Sequence, residues 1–405
     1  MLQLSFVSFK KDSYILVEGK IKTDCFYIIQ SGNVKIMHEI EIPGRKPEIL
    51  GPGDFLGVVS CMSGQANVES AFTLSDVVCI AVQKSQFPDL IQKNIPVALK
   101  IIRSFAKKMR ETNQVIMLQT ASKVAEDNPN QIYRVAEYYD TDYQMDVALF
   151  AYYQYMKVVK KGPFFEQSKI RFSKLRKNSN AVYLEPSEDT IRKYPKGTMI
   201  FSEAQNGSEM YIIQQGAVKI SKIVKESDRD NGQEVIFTIL KKGDLFGEMA
   251  LIENKPRSAC AIAVEDCVLM AVNNKNFNQM VSSQPEMVAR LTMTFANRLW
   301  PMYRQLINSI IEDPLAKMID MLQLQLEKNK IKPDENPSFR TNYTPTDVAQ
   351  MCGLSKTDQA KVMYKFLSHP IIHVEDNKII IPKVDELYKQ SVFYRKALAR
   401  KINNK

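Results

Sequence analysis

Apolar and polar positions alternate in short bursts through the first part of the chain: SYILVE at residues 13–18, FYIIQSGNVKI at 26–36 and GDFLG at 53–57. Gly, Asn and Asp separate the bursts, which is the pattern of short strands joined by tight turns. The same three bursts return as TMIFSE at 198–203, MYIIQQGAVKI at 210–220 and GDLFG at 243–247, in the same order and with nearly the same spacing over about 110 residues. Such self-similarity marks an internal repeat. Each copy is followed by a helical stretch, opening after Ile95-Pro96 in the first and Gln284-Pro285 in the second. The pattern predicts a small β-roll capped by helices, present twice.

Helical spacing dominates elsewhere. Between the copies, Ile132, Val135, Ala136, Tyr139, Ala148 and Tyr152 predict one helix, a turn at 140–142 and a second helix, with a spacing that resembles one tetratricopeptide-type hairpin. The aromatic run Tyr152, Tyr153, Tyr155, Phe164 and Phe165 reads as core packing. After the second roll, Val288, Leu291, Phe295, Leu299, Met302, Leu306 and Ile310 fall three or four residues apart, forming one stripe along a helix. Pro301 lies inside that stripe and predicts a kink. Further on, Thr344 caps a helix with Pro345 at its first position, Gly353 makes a turn, and Ser355 caps a second helix. Apolar runs at 371–374 and 379–382, separated by 375–378, then predict a hairpin. Two helices followed by a hairpin make a winged helix.

Composition changes this picture in three respects. A chain of 405 residues with 45% hydrophobic and 25% charged residues is a multidomain globular protein. It has no apolar run long enough for a transmembrane helix, and residues 1–11 lack the pattern of a secretory signal, so a cytoplasmic protein is expected. Cys25, Cys61, Cys79, Cys260, Cys267 and Cys352 show no C-x-x-C spacing, and with three histidines in all, neither a metal site nor a catalytic histidine set is expected. The net charge of +10 is concentrated in no single domain. Residues 157–177 hold eight cations and one acid, and 391–405 hold five cations and no acid; both read as solvated faces.

The candidate chemistry lies in GDLFGEMALIENKPRSA at 243–259. A strand end turns at Gly247 into a short helix whose first backbone N–H groups lack intrahelical acceptors, and Arg257 returns nine residues after Glu248. Free N–H groups and a guanidinium suit a phosphate, while Glu248 suits a sugar hydroxyl. An anion receptor beside a hydroxyl acceptor describes a nucleotide, and Ser258 adds a hydroxyl donor. These residues resemble the phosphate-binding cassette of cyclic nucleotide-binding domains, F-G-E-x-A-L followed by R-[STA]-A. The resemblance implies that Glu248 takes the ribose 2′-hydroxyl, Arg257 the cyclic phosphate, and the 247–250 backbone the phosphate oxygens. The candidate ligand-binding residues are therefore Phe246, Gly247, Glu248, Met249, Ala250, Arg257 and Ser258. Tyr303 is added from the region where cAMP-activated regulators hold the base. cAMP is the leading ligand, with cGMP and a cyclic dinucleotide behind it. The first copy departs from the pattern: Val58 stands at the glutamate position, Asn67 or Glu69 at the arginine position, and no Lys or Arg occurs between Gly57 and Lys84.

The run from Gln284 to Leu387 is similar to the Crp/Fnr class of transcription regulators, which implies duplex DNA as partner and a homodimer through helix 285–311. In that class the second helix of the module enters the major groove, so Lys356, Thr357 and Gln359 are expected at base edges, with Ser355, Lys361, Lys365 and Lys378 completing the DNA face. The expected architecture is α+β. It comprises a degenerate roll at 1–117, a helical connector at 118–185, an intact roll with its long helix at 186–311, a winged helix-turn-helix at 312–390 and a basic tail at 391–405. The alternative is a nucleotide-sensing regulatory or scaffold protein that acts on protein partners. It resembles the tandem domains of the protein kinase A regulatory subunit, with Arg176 to Ser179 as a faint kinase-substrate motif. No membrane partner and no enzymatic activity are expected.

Overall fold

A computed structural model describes residues 5–21, 24–40, 47–120, 128–179, 184–224, 232–335 and 337–403. It divides into two units, Met1–Ile101 with Val288–Lys405, and Ile102–Met287.

In the first unit, one antiparallel sheet runs in the order Ser5–Phe9, Val77–Gln83, Cys25–Ser31, Phe55–Leu56, and a second runs Tyr14–Leu16, Ser70–Thr73, Val34–Met37, Glu48–Leu50. The period of two sends Tyr27, Ile29, Leu56 and Cys79 into a shared core with Ile15, Val34 and Ala71. The long helix Pro285–Ile310 contributes most of its length to this unit and runs on through Pro301. Its stripe, expected to meet a twin helix in a homodimer, is already buried inside the single chain: Val288, Leu291, Phe295, Leu299 and Leu306 are all core residues.

The long helix stops where expected. Asp313 accepts a hydrogen bond from the Ala316 N–H at 2.7 Å and Pro314 opens the helix Pro314–Lys328. Thr344 and Asp347 form a reciprocal capping box on Pro345–Met351, Gly353 takes φ 67°, and Ser355 caps Lys356–Leu367. The hairpin His373–Glu375 and Lys378–Ile381 turns on Asp376 and Asn377, both at positive φ, and Phe339–Arg340 adds a third strand. The segment read as a basic tail is instead part of a helix, Val384–Asn403. Its Ser391 hydroxyl donates to Asp320 Oδ1 at 2.7 Å, and Arg395 reaches the same carboxylate at 3.5 Å. Arg304, on the long helix, pairs with Asp320 at 3.4 Å and with Glu327 at 3.0 Å, while Asn308 donates to Asp320 at 3.0 Å. Asp320 is fully buried, and these cations and donors hold its carboxyl below the ordinary range against the opposing effect of burial.

In the second unit the two sheets recur in the same order: Met199–Phe201, Cys260–Ala263, Ala217–Val224, Gln233–Lys241, and Leu245–Phe246, Glu209–Gln215, Cys267–Asn273, Ile191–Tyr194. The connector forms the two expected helices, Asn130–Thr141 and Met145–Val158, and a third, Phe165–Arg176. Of its aromatic residues, Tyr139, Tyr152 and Tyr155 are buried in one cluster with Met199, Ala204, Ile223 and Cys260 of the roll, Phe164 packs against that cluster, Tyr153 and Phe165 are half-buried outside it, and Tyr143 is exposed. Phe164 stacks on Tyr133 at 4.2 Å. The connector is thus packed on the second roll and shares its core. Among the described residues, no helix is long and apolar enough to cross a membrane, and no cluster of His, Cys, Asp and Glu suited to a metal is present.

Candidate functional site

The cassette of the second roll is built on a glycine turn. Strand Leu245–Phe246 ends at Gly247, whose φ of 77° is left-handed, and the six-residue helix Glu248–Glu253 starts there. A Cβ at Gly247 would lie 2.6 Å from Nη1 of Arg257, so only glycine lets the guanidinium approach this backbone. Asn254, at φ 53°, ends the helix, and the chain returns through Pro256 to Arg257. There the Arg257 N–H donates to the Gln205 carbonyl and the Ala204 N–H donates to the Arg257 carbonyl, both at 2.8 Å.

Both candidate ligand-binding charges are inside the protein: Glu248 is 3% and Arg257 5% exposed. The Arg257 guanidinium lies 4.2 Å over the ring of Phe201 and donates Nη1 to the Gly247 carbonyl at 2.6 Å. Its Nε is buried with no hydrogen-bond partner among the described residues. No carboxylate among the described residues lies within ion-pairing distance of it. Burial lowers its affinity for the proton, and Tyr211, Glu209 and Glu248 oppose that from further away. Gly207 closes the other side, since a Cβ there would fall 2.2 Å from Nε. Neither Phe201 nor Gly207 is signalled by the sequence as a site residue, because strand Met199–Phe201 and the loop after it are remote from the motif. Glu209, the nearby acid, is engaged elsewhere, in a two-pronged pair with Arg192 at 2.7 and 2.8 Å.

The remaining cassette residues divide. Met249 and Ala250 are buried in the first turn of the helix, and the half-buried Ser258 hydroxyl points to the Met249 sulfur at 3.8 Å. Phe246, expected among the ligand contacts, is instead a core residue: its ring stacks on Tyr211 at 5.2 Å and packs on Phe201. Tyr303 is the remaining candidate. It belongs to the unit of the first roll, where its ring stacks on His38 at 6.5 Å, because the long helix directs this turn toward that roll.

The first roll keeps the same backbone, with helix Val58–Ser63 opening at Gly57, φ 74°. Backbone pairing resolves the gap. The Asn67 N–H donates to Lys20 and its carbonyl accepts from Gly19, which reproduces the ladder around Arg257. Asn67 is therefore the arginine counterpart, and Glu69 takes the place of Ala259. Glu18, beside Glu39 and Glu69, has its carboxyl pushed up to about 7 by burial, against the pull of Arg304.

On the C-terminal module, Thr357, Lys361 and Lys365 are exposed along one face of helix Lys356–Leu367. The side chain of Lys356 lies outside the described residues. Three candidates are already engaged: Ser355 with Asp358, Gln359 with the Leu354 carbonyl at 2.8 Å, and Lys378 with the Asn342 carbonyl at 2.6 Å. Tyr364, which sequence reasoning passed over, is 80% exposed on the lysine face.

The fold thus repeats a pair of sheets, each pair carrying a short helix opened by a left-handed glycine. Residues 6–94 and 191–284 both match the family described as Cyclic nucleotide-binding domain. The chain is also homologous to CRP-type regulators. The CRP-like cAMP-activated global transcriptional regulator of Mycobacterium tuberculosis is 24% identical over 200 residues, 49% of this chain and 86% of that protein. The cAMP-activated global transcriptional regulator CRP of Haemophilus influenzae is 25% identical over 192 residues, 47% of this chain and 83% of that protein. Among solved structures, cAMP bound PfPKA-R (141-441) is 19% identical, covering 76% of this chain and 80% of that one at a TM-score of 0.23.

Proposed function

We propose that the chain is a cyclic-nucleotide-responsive transcription regulator that binds its ligand in the second roll and duplex DNA through the C-terminal module, a winged helix-turn-helix. The carrying observation is Arg257, a buried guanidinium with an orphaned Nε and no carboxylate in ion-pairing reach among the described residues. A cyclic phosphate supplies the missing counter-charge and acceptor, and the buried carboxylate of Glu248 accepts a hydrogen bond from the sugar hydroxyl. The Gly247–Ala250 backbone and Ser258 complete the receptor. cAMP is the leading ligand, in keeping with the cAMP-activated relatives. With Val58 and Asn67 in place of the acid and the cation, the first roll is degenerate as a nucleotide site. The residues given to DNA are Thr357, Lys361 and Lys365, with Lys356 at the helix start, and the hinge lies around 312–314. The domain boundaries expected from the sequence and a cytoplasmic location belong to the same reading.

The test is a calorimetric titration of the full chain with cAMP, cGMP and a cyclic dinucleotide, followed by duplex DNA binding across a salt series with and without ligand. One ligand per chain, and DNA affinity that falls with salt and rises with ligand, is the expected result. Absence of binding by all three nucleotides overturns the sensing half. DNA binding indifferent to salt and to base sequence overturns the other half. A second reading, contact with a protein instead of DNA, is favoured by one observation: Tyr364 and Leu367 leave large apolar surface exposed on the helix meant for the groove.

A further inference from the structure

The two long helices each return one side chain to a cassette, and each reaches the backbone carbonyl at the equivalent position of its cassette. Arg110, on helix Ile95–Thr120, donates Nη2 to the Pro256 carbonyl at 3.2 Å and Nε to Glu253 Oε2 at 2.5 Å. Trp300, on helix Pro285–Ile310, donates Nε1 to the Ala66 carbonyl at 2.9 Å. Arg110 and Trp300 each stand fifteen residues past the start of their helix, and Pro256 and Ala66 immediately precede Arg257 and its counterpart Asn67. The repeat has thus kept a contact in which the helix following one roll holds the cassette of the other. It has kept a charge only at the second cassette.

The Arg110–Glu253 pair is not a surface ion pair, since its side chains are 5% and 9% exposed. Glu253 closes the helix that Glu248 opens, and the Pro256 carbonyl belongs to the peptide that leads into Arg257. A single guanidinium therefore ties the far end of the Glu248 helix to the loop that presents Arg257. The loop it spans includes Asn254, a non-glycine residue held at φ 53°. A nucleotide held by both Glu248 and Arg257 needs them at one fixed separation, and the tie spans the loop that joins them.

We propose that Arg110 is a positioning residue of the second cassette: it fixes residues 253–257 in the arrangement that accepts a cyclic nucleotide, and it is where occupancy of that cassette is passed to the helix following the first roll. This rests on the nucleotide reading above. The test titrates the full chain with cAMP, comparing the natural sequence with Arg110→Met, Glu253→Gln and the charge exchange Arg110→Glu with Glu253→Arg. Urea unfolding of each ligand-free protein is measured in parallel. Arg110→Met is expected to weaken cAMP binding by ~10–100-fold. Arg110→Glu alone should lose binding, and the exchange should recover it to within several-fold of the natural chain, a rescue that depends on the pair and not on general stability. If Arg110→Met does not fold, Arg110→Lys and the exchange carry the comparison. Failure of the natural chain to bind any cyclic nucleotide removes the nucleotide reading itself. Binding by the natural chain that Arg110→Met leaves unchanged, or an exchange no better than its single substitutions, overturns the positioning role alone.

Discussion

Replacing Arg257 with methionine separates a ligand-binding charge from a structural one. In the ligand-free protein the guanidinium is buried, makes one hydrogen bond to the Gly247 carbonyl, lies over Phe201 and leaves Nε unpartnered among the described residues. Substitution gives up that hydrogen bond, about 1.5–3 kcal/mol, and a cation–π contact of about 1 kcal/mol, and it recovers the several kcal/mol that burying a charge without an ion-pair partner costs. The ligand-free variant should therefore be as stable as the natural chain or more so. The ligand-bound state behaves oppositely. Two charge-assisted bonds to phosphate at about 1.5–3 kcal/mol each amount to roughly a hundredfold to ten-thousandfold in affinity. At a ligand concentration one hundred times its Kd, the natural chain gains about 2.7 kcal/mol from binding, and the variant should gain at most about 0.4 kcal/mol at that concentration. Thermal unfolding with and without cAMP, joined to calorimetry, reads both effects. A variant that loses several kcal/mol without ligand yet keeps its shift with ligand would refute the reasoning, because Arg257 would then be a structural residue.

Three further outcomes follow from the same geometry. Gly207→Ala brings a Cβ to 2.2 Å from Arg257 Nε, so it should displace the guanidinium and weaken cAMP binding with every charge still present; unchanged affinity would mean that the arginine does not work from this position. Glu18 binds its proton more tightly folded than unfolded, so stability should fall as pH rises from about 4.5 to about 7, and Glu18→Gln should remove that slope. Urea midpoints below, within and above the window decide this, and an identical slope in the variant would clear Glu18 of the effect. Trp300, the one tryptophan, is buried with its N–H bonded to Ala66, so its emission should be blue-shifted and resistant to iodide, and Trp300→Phe should cost about 1 kcal/mol.

Local chemistry was the legible part of the sequence. The cassette could be read because Gly247, Glu248 and Arg257 lie within eleven residues, and the caps Thr344 and Ser355 because a cap acts only three residues away. What escaped depends on distant partners. The choice between Asn67 and Glu69 needed the backbone pairing with Gly19 and Lys20. Helix Val384–Asn403 is not legible in the sequence, because Ser391 and Arg395, both polar, are what fasten it to Asp320. The third connector helix buries only Ser168 and Leu175, too little to leave a stripe.

Asp320 has a consequence for how the C-terminal module travels. A dry carboxylate held by Arg304, Arg395, Asn308 and Ser391 ties three helices to one point, and loosening any single tie leaves the rest of the knot with a stranded charge. Such a joint does not slide by degrees. If an effector acts through the long helix, as the proposed function requires, it should change how many molecules have the joint shut or sprung, and not turn an angle like a dial.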